Sequence, residues 1–334
     1  MDAIKPRKIK YKVLGSFVPK DFECRYGIAL PDGVSAVAQD YSNRKLCRIN
    51  LEKGILNYID LGPLSEEFTR QRDEKEWISR QYEQRGALFN YKQGYGVIYH
   101  DMVVLFETFD AEMKVLPFRN PYPFIKNWGH PEPEAPLKAC YNEQENRLYV
   151  VIDEIQYKNR TSFFTEVQLA DGYADYLFHP RSFAFPNDPG DHLGTPNLPV
   201  VAAFGKFNNQ LQLISSRPYD SVRLGSAQAK LYLHMLKADY TSGAIIQEID
   251  TTYHNGNFLD GNKYYAWFNN QTKSSLAIML HNLNTGELSR ISLSGKDYAP
   301  YIDDIRGNKI ASLQGNKLWL FSYGMIVCLE LQEG

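Results

Sequence analysis

A chain of 334 residues is long for one ordinary core and predicts two domains unless the fold is a repeat. A net charge of −2 leaves no electrostatic footprint for a nucleic-acid backbone, and no apolar run reaches the length of a membrane span. An aromatic content of 13%, with 23 Tyr and 18 Phe and few helix-favouring blocks, points to strands.

In chain order, the basic tract from Lys5 to Lys12 alternates with Ile9 and Tyr11 and, with Val13, predicts an exposed strand edge over 8–14. It is read as a strand and not as a lipid or phosphate binder. No signal peptide is read at the N-terminus. The expected compartment is periplasmic or cell-surface if a leader, and with it a lipid anchor, has been removed, and cytoplasmic otherwise.

Four-stranded units are expected over 23–62, 86–118, 137–178, 199–251 and 257–293, and a three-stranded one over 302–331. The punctuation is Pro31-Asp32-Gly33, Glu52-Lys53-Gly54, Ala170-Asp171-Gly172 and Asn284-Thr285-Gly286-Glu287, where glycine supplies the positive φ of a tight reversal. Gly94-Tyr95-Gly96 reads as part of another turn, since it lacks the rest of a phosphate loop. In the sixth unit 302–305 and 309–313 form one interrupted inner strand. The four cysteines, Cys24, Cys47, Cys140 and Cys328, lack metal-type spacing and fall inside predicted strands as buried thiols. One segment breaks the pattern: 65–85 is charged, starts at Ser65 after Pro63, places Leu64, Phe68, Ile78 and Tyr82 near one face, and stops at Gly86. It predicts an amphipathic helix inserted between the first two units.

Five four-stranded units, a sixth one strand short and a spare strand at the other terminus describe a ring closed by pairing its two ends. The fold class is therefore all-β, a six-bladed β-propeller of four-stranded antiparallel blades in one domain over 1–334, or seven-bladed if two short units have merged. In architecture and in turns such as Asn284-Thr285-Gly286-Glu287 the chain resembles six-bladed TolB-like propellers, including lipid-anchored members from gut-type bacteria. That resemblance carries no functional motif onto this chain.

In a propeller the blade-to-blade loops and the middle hairpins share one face. Here that face collects the helix 65–85, the loops 119–136 and 179–198, and the middle hairpins 154–161 and 216–229, whereas the opposite face has short turns. Ligand sites concentrate in long loops held on a rigid scaffold. In the first loop Tyr122, Phe124, Trp128 and His130 stand among prolines, where they either stack on a sugar ring or peptide or pack over the mouth of the ring. In the second, His179 and His192 are candidate ligand contacts. Asp188, Asp191 and His192 are candidate metal ligands, since carboxylate and imidazole both suit a divalent ion, although Asp in such a loop also serves local turns. Asp40, Asp101 and Asp153 are read as closing the second strand of the first three blades, either as an acidic rim or as turn caps. Glu23, Asn257, Asp303 and Asp304 are candidates for an axial calcium site.

No nucleophile elbow and no zinc-protease motif is found. The leading reading is a non-catalytic binding propeller whose loop-rich aromatic face takes a protein, peptide or glycan. The alternative is a hydrolase or lyase acting on a carbohydrate or lactone. No cofactor is identified; a divalent cation such as calcium at the channel mouth belongs to the alternative.

Overall fold

The computed structural model describes residues 6–40, 44–64, 86–99, 101–119, 135–156, 159–177, 181–182, 200–207, 210–216, 231–236, 242–249, 256–259, 263–272, 275–294, 310–322 and 324–332. Two short N-terminal strands, β1 (Arg7–Lys8) and β2 (Lys10–Phe17), open the chain. Sheet one is β3 (Cys24–Ala29), β4 (Ser35–Asp40), β5 (Lys45–Asn50) and β6 (Gly54–Asp60). Sheet two is β7 (Ala87–Tyr91), β8 (Gly94–Ile98), β9 (Met102–Phe106) and β10 (Lys114–Pro117). Sheet three is β11 (Ala135–Asn142), β12 (Arg147–Gln156), β13 (Asn159–Ala170) and β14 (Tyr173–Tyr176), with β15 (Arg181–Ser182) also on β13. Sheet four, described as backbone, is β16 (Val200–Phe207), β17 (Gln210–Ser216), β18 (Leu231–Leu236) and β19 (Ser242–Ile249). Sheet five is β20 (Gly256–Leu259), β21 (Tyr264–Thr272), β22 (Ser275–Asn282) and β23 (Leu288–Ser294). Sheet six is β24 (Ile310–Gln314), β25 (Lys317–Ser322) and β26 (Met325–Gln332), and β2 is its fourth strand. Within every sheet the consecutive strands pair antiparallel, as tight hairpin connections dictate.

The chain divides into two compact units, one of 1–62 with 255–334 and one of 63–254. In the first, sheet six has a sheet against each face, and the strand period of two sorts its side chains between them. Leu318, Leu320, Val327 and Leu329 join Phe268, Leu276, Ile278 and Leu280 of sheet five in one core. Their neighbours Trp319, Phe321, Ile326 and Cys328 join Cys24, Ala36, Ala38, Cys47 and Ile49 of sheet one in another. Small residues receive the rings: a Cβ added at Gly27 of β3 would stand 2.1 Å from Cδ1 of Phe321. In the second unit Phe89, Ile98, Val103 and Leu105 of sheet two pack on Leu148, Val150, Val167 and Leu169 of sheet three.

One hydrogen bond recurs at the third strands. The amide N–H groups of Leu51, Leu169, Leu283 and Leu331 donate to the carbonyls of Val34, Asn146, Lys263 and Asn316 in their own sheets, at 3.0, 3.2, 2.9 and 2.7 Å. Each leucine starts the same pattern: Leu51-Glu52-Lys53-Gly54, Leu169-Ala170-Asp171-Gly172, Leu283-Asn284-Thr285-Gly286 and Leu331-Gln332-Glu333-Gly334. Gly54, Gly172 and Gly286 take φ of 80°, 85° and 72°, the left-handed region that glycine enters without strain. Before two of these turns an asparagine accepts local amides. Asn50 Oδ1 bonds Glu52 N at 3.0 Å and Lys53 N at 3.3 Å, and Asn282 Oδ1 bonds Asn284 N at 2.9 Å and Thr285 N at 3.2 Å.

Several expectations are corrected. Of the hairpin expected over 154–161, Glu154 to Gln156 continue β12 and Asn159 to Thr161 open β13, paired out to Gln156 opposite Asn159, because polar residues are tolerated in a ladder as they are in a loop. Gly94 and Gly96 lie in β8, and the turn is Lys92-Gln93. Cβ atoms there would meet the Phe106 carbonyl oxygen at 2.2 Å and the Phe89 ring at 2.3 Å, so close approach is their role. The N-terminal strand pairs with β26 as expected, but it runs to Phe17 and is preceded by β1, which adds in parallel to β23. Cys24, Cys47 and Cys328 are buried thiols outside any disulfide, and Cys140 is half-buried. The helix expected over 65–85 and the inner-strand piece 302–305 lie outside the described residues.

Candidate functional site

Four antiparallel strands in sequence order bring the chain into a sheet and out of it at the end that bears the middle hairpin. Sorting the connections by that rule separates two kinds. On the other end the turns run from two residues, as at Lys92-Gln93, to seven over 107–113. The entry end receives 61–86, 118–134, 183–199, 217–230 and 295–309.

Tyr122, Phe124, Trp128 and His130 fall in the second of these connections, and Asp188, Asp191 and His192 in the third; all seven lie outside the described residues. So does His179, which comes in sequence between β14 and β15. Asp303 and Asp304 are likewise outside. Asn257 belongs to β20 opposite Ala266. Among the described residues no three His, Cys, Asp or Glu side chains gather as a metal site would require.

What the structure does describe is how the aromatic connection leaves sheet two. After β10, Phe118 forms a parallel bridge to Ala174 of β14, and its N–H donates to the Asp101 carbonyl at 3.0 Å. Its ring stacks on Tyr176, centroids 4.4 Å apart and planes 7° from parallel. Arg119 donates its backbone N–H to the Ala174 carbonyl at 3.2 Å, lays its guanidinium 3.9 Å over the Tyr173 ring and pairs with the Asp175 carboxylate. A planar cation can satisfy a ring face and a carboxylate at once, which lysine does less well. Sequence reading missed Arg119, Tyr173 and Asp175. The available signal was the alternation Tyr173-Ala174-Asp175-Tyr176, which sets Tyr173 and Asp175 on one side of the outer strand.

The three aspartates expected at equivalent positions are not equivalent. Asp40 ends β4 and accepts the Glu23 N–H at 3.0 Å, so it ties the start of sheet one and does cap backbone. Asp101 stands just before β9, and its carbonyl accepts from Phe118 as the Arg44 carbonyl accepts from Leu61, at 2.7 Å, in sheet one. Asp101 thus matches Arg44. Asp153 lies inside β12, between Ala135 and Ser162. Asp40, Arg44 and Asp101 are all buried.

At the short-turn end of sheet three is an internally satisfied polar network. Arg147 contacts the buried Glu166 at 3.2 Å and Glu145 at 3.8 Å, and donates to Gln168 at 3.1 Å. The Tyr149 hydroxyl donates to Glu145 and accepts from Asn142, both at 3.0 Å, and burial pushes its pKa up to about 12. Burial also raises the Glu166 carboxyl, against the opposing pull of Arg147. These groups are occupied with one another and brace a hairpin.

All-β sheets of four antiparallel strands, stacked face on face within each unit, are the construction of a β-propeller. Among solved structures the chain is similar to the β-propeller domain of Myceliophteria thermophila Cps50 (Swd1), with a TM-score of 0.52 at 9% identity over 97% of this chain and 100% of that one. Also similar are the RRP9 WD40 repeats, at 0.48 and 7% over 97% and 100%, and U3-55K, at 0.46 and 7% over 96% and 98%. At such identity the likeness concerns the fold alone, and the fold is a β-propeller. No family model matches the chain, and no curated protein does.

Proposed function

We propose that the chain is a non-catalytic six-bladed propeller that holds a protein or peptide partner on the entry end of its sheets. The observation that carries this reading is the contrast between the two ends: turns of two to seven residues, several of them closed by glycine, on one and every long connection on the other. Six sheets, with β2 as the fourth strand of the last, support one ring closed by the N-terminal strand. That is the arrangement the TolB-like resemblance implied. Interface chemistry favours the aromatic connection, because Tyr, Trp and Phe give large rigid contact area and are enriched at protein interfaces.

The test is the triple variant Tyr122→Ala/Phe124→Ala/Trp128→Ala. Cross-linking capture from a native extract is expected to lose its specific partner while thermal melting stays within a few degrees of wild type. Capture that persists overturns the reading, and a collapse of melting shows that the rings pack over the fold. A glycan array run alongside separates a sugar ligand from a protein one. A calcium-dependent rise in melting temperature, lost in Asp188→Asn/Asp191→Asn, would favour the hydrolase or lyase alternative.

A further inference from the structure

The outer edge of sheet six differs from a plain strand edge in a way that selects a partner. β2 pairs with β26 on one side and has no strand on the other among the described residues, leaving a row of backbone donors and acceptors along 10–17. Along β1 and β2 the side chains alternate. Ile9 and Tyr11 turn inward against the core shared by sheets five and six, and Lys8, Lys10 and Lys12 are exposed. None of these three lysines forms an ion pair among the described residues, although Glu330 lies directly opposite Lys12 on β26. Arg7, by contrast, is paired with Glu287 at 3.5 Å.

We propose that this edge is a docking strip for an extended, acidic segment of a partner protein, added as a further strand beside β2 with carboxylates at every second residue. Residues two apart on a strand repeat at roughly 7 Å, so the ammonium groups of Lys10 and Lys12 on β2 match alternate carboxylates on a neighbouring strand and do not match a clustered run, while Lys8, on β1 beside β23, adds a positive charge just beyond that ladder. The free backbone edge favours a strand over a membrane surface or a nucleic acid, neither of which offers a matching ladder of N–H and C=O groups. A second copy of this edge is excluded by its own like charges. Extended segments already add to an outer edge in this unit: β1 lies beside β23, and the Ile9 N–H donates to the Arg290 carbonyl at 2.9 Å.

The probe is a short fluorescent peptide in which Glu alternates with Val and Thr, titrated into the full chain by anisotropy. Saturable binding is expected. Lys8→Glu/Lys10→Glu/Lys12→Glu should weaken it at least about tenfold, since the two cross-strand pairs of Lys10 and Lys12 turn from opposite-charge to like-charge and the attraction of Lys8 is reversed, with circular dichroism unchanged and melting within a few degrees of wild type. Two control peptides keep the net charge: one has its Glu residues clustered, and one has a proline in place of the central Thr. Equal binding of either control shows bulk charge attraction only and overturns the proposal, as does equal binding of heparin or of vesicles rich in anionic lipid. No binding of the alternating peptide also overturns it. Should the triple variant melt early, Lys10→Gln/Lys12→Gln read against the same peptides decides the matter, since neutral residues leave the strand edge intact.

Discussion

Gly27→Ala places a methyl group where sheet one meets sheet six. The added Cβ would lie 2.1, 2.2 and 2.4 Å from three ring atoms of Phe321, which is itself fully enclosed. Gly27 has no positive φ, so alanine meets no backbone strain and would by itself restrict the unfolded chain to the advantage of the fold. The clash must therefore be relieved by moving the ring or the strand, at about 1–3 kcal/mol for an overpacked core. Phe321→Ala alone should cost about 3–5 kcal/mol through lost burial and the cavity left behind. With the ring removed, however, the methyl has room, so Gly27→Ala should cost nothing further in that background, a coupling of about 1–3 kcal/mol between residues 294 positions apart. Urea unfolding followed by circular dichroism, at matched m-values, measures all four corners of the cycle. Additive costs, or Gly27→Ala as stable as wild type, would refute the contact between these two sheets.

Gly286→Ala, where nothing stands within 4 Å of the new Cβ and φ is 72°, should cost about 1–2 kcal/mol from backbone conformation alone, read by the same unfolding assay. Glu166 has its folded carboxyl raised by burial above the ordinary value of 4.5, so its favourable contribution is complete in acid and is lost as pH rises through the folded value. Melting of wild type should accordingly fall relative to Glu166→Gln as pH climbs from 4.5; a gap that is constant with pH would contradict the assignment.

Strand positions were largely legible because most strands whose side chains are described have a buried face, and turn residues stand between them. β3 to β10 lie within the units expected over 23–62 and 86–118, and the turns at Gly54 and Gly286 follow from local chemistry alone. The short-turn end was legible for the same reason. Misreadings came where a local signal has two meanings. Asp153 and Glu154 resemble a turn, yet β12 runs on because polar residues are tolerated in a ladder. The glycines of β8 resemble a turn, yet they make room for Phe89 and the β9 backbone. The Leu-x-x-Gly repeat was visible but is sparse, and its meaning lies in a hydrogen bond between two turns of one sheet, which no local window contains. The parallel pairing of β1 with β23 and the clamp of Arg119 on Tyr173 and Asp175 are long-range in the same sense. Of the candidate site, the end of the sheets was legible from connection length; its residues depend on side-chain geometry in the long connections, which periodicity does not specify.

The pairing of β2 with β26 is the joint on which a closed ring depends, and its register can be measured. Lys12 stands opposite Glu330, so Lys12→Cys/Glu330→Cys brings two thiols to a spacing of about 4.5–5.5 Å between Cα atoms, within disulfide reach. Mild oxidation should then close almost the whole chain into a covalent loop, seen as a shift in non-reducing electrophoresis, while circular dichroism stays that of wild type. The neighbouring pair Lys12→Cys/Leu331→Cys, one residue out of register and on the opposite face, should not form. Failure of the first pair to form, or equal yield from both, would contradict a ring closed by the N-terminal strand.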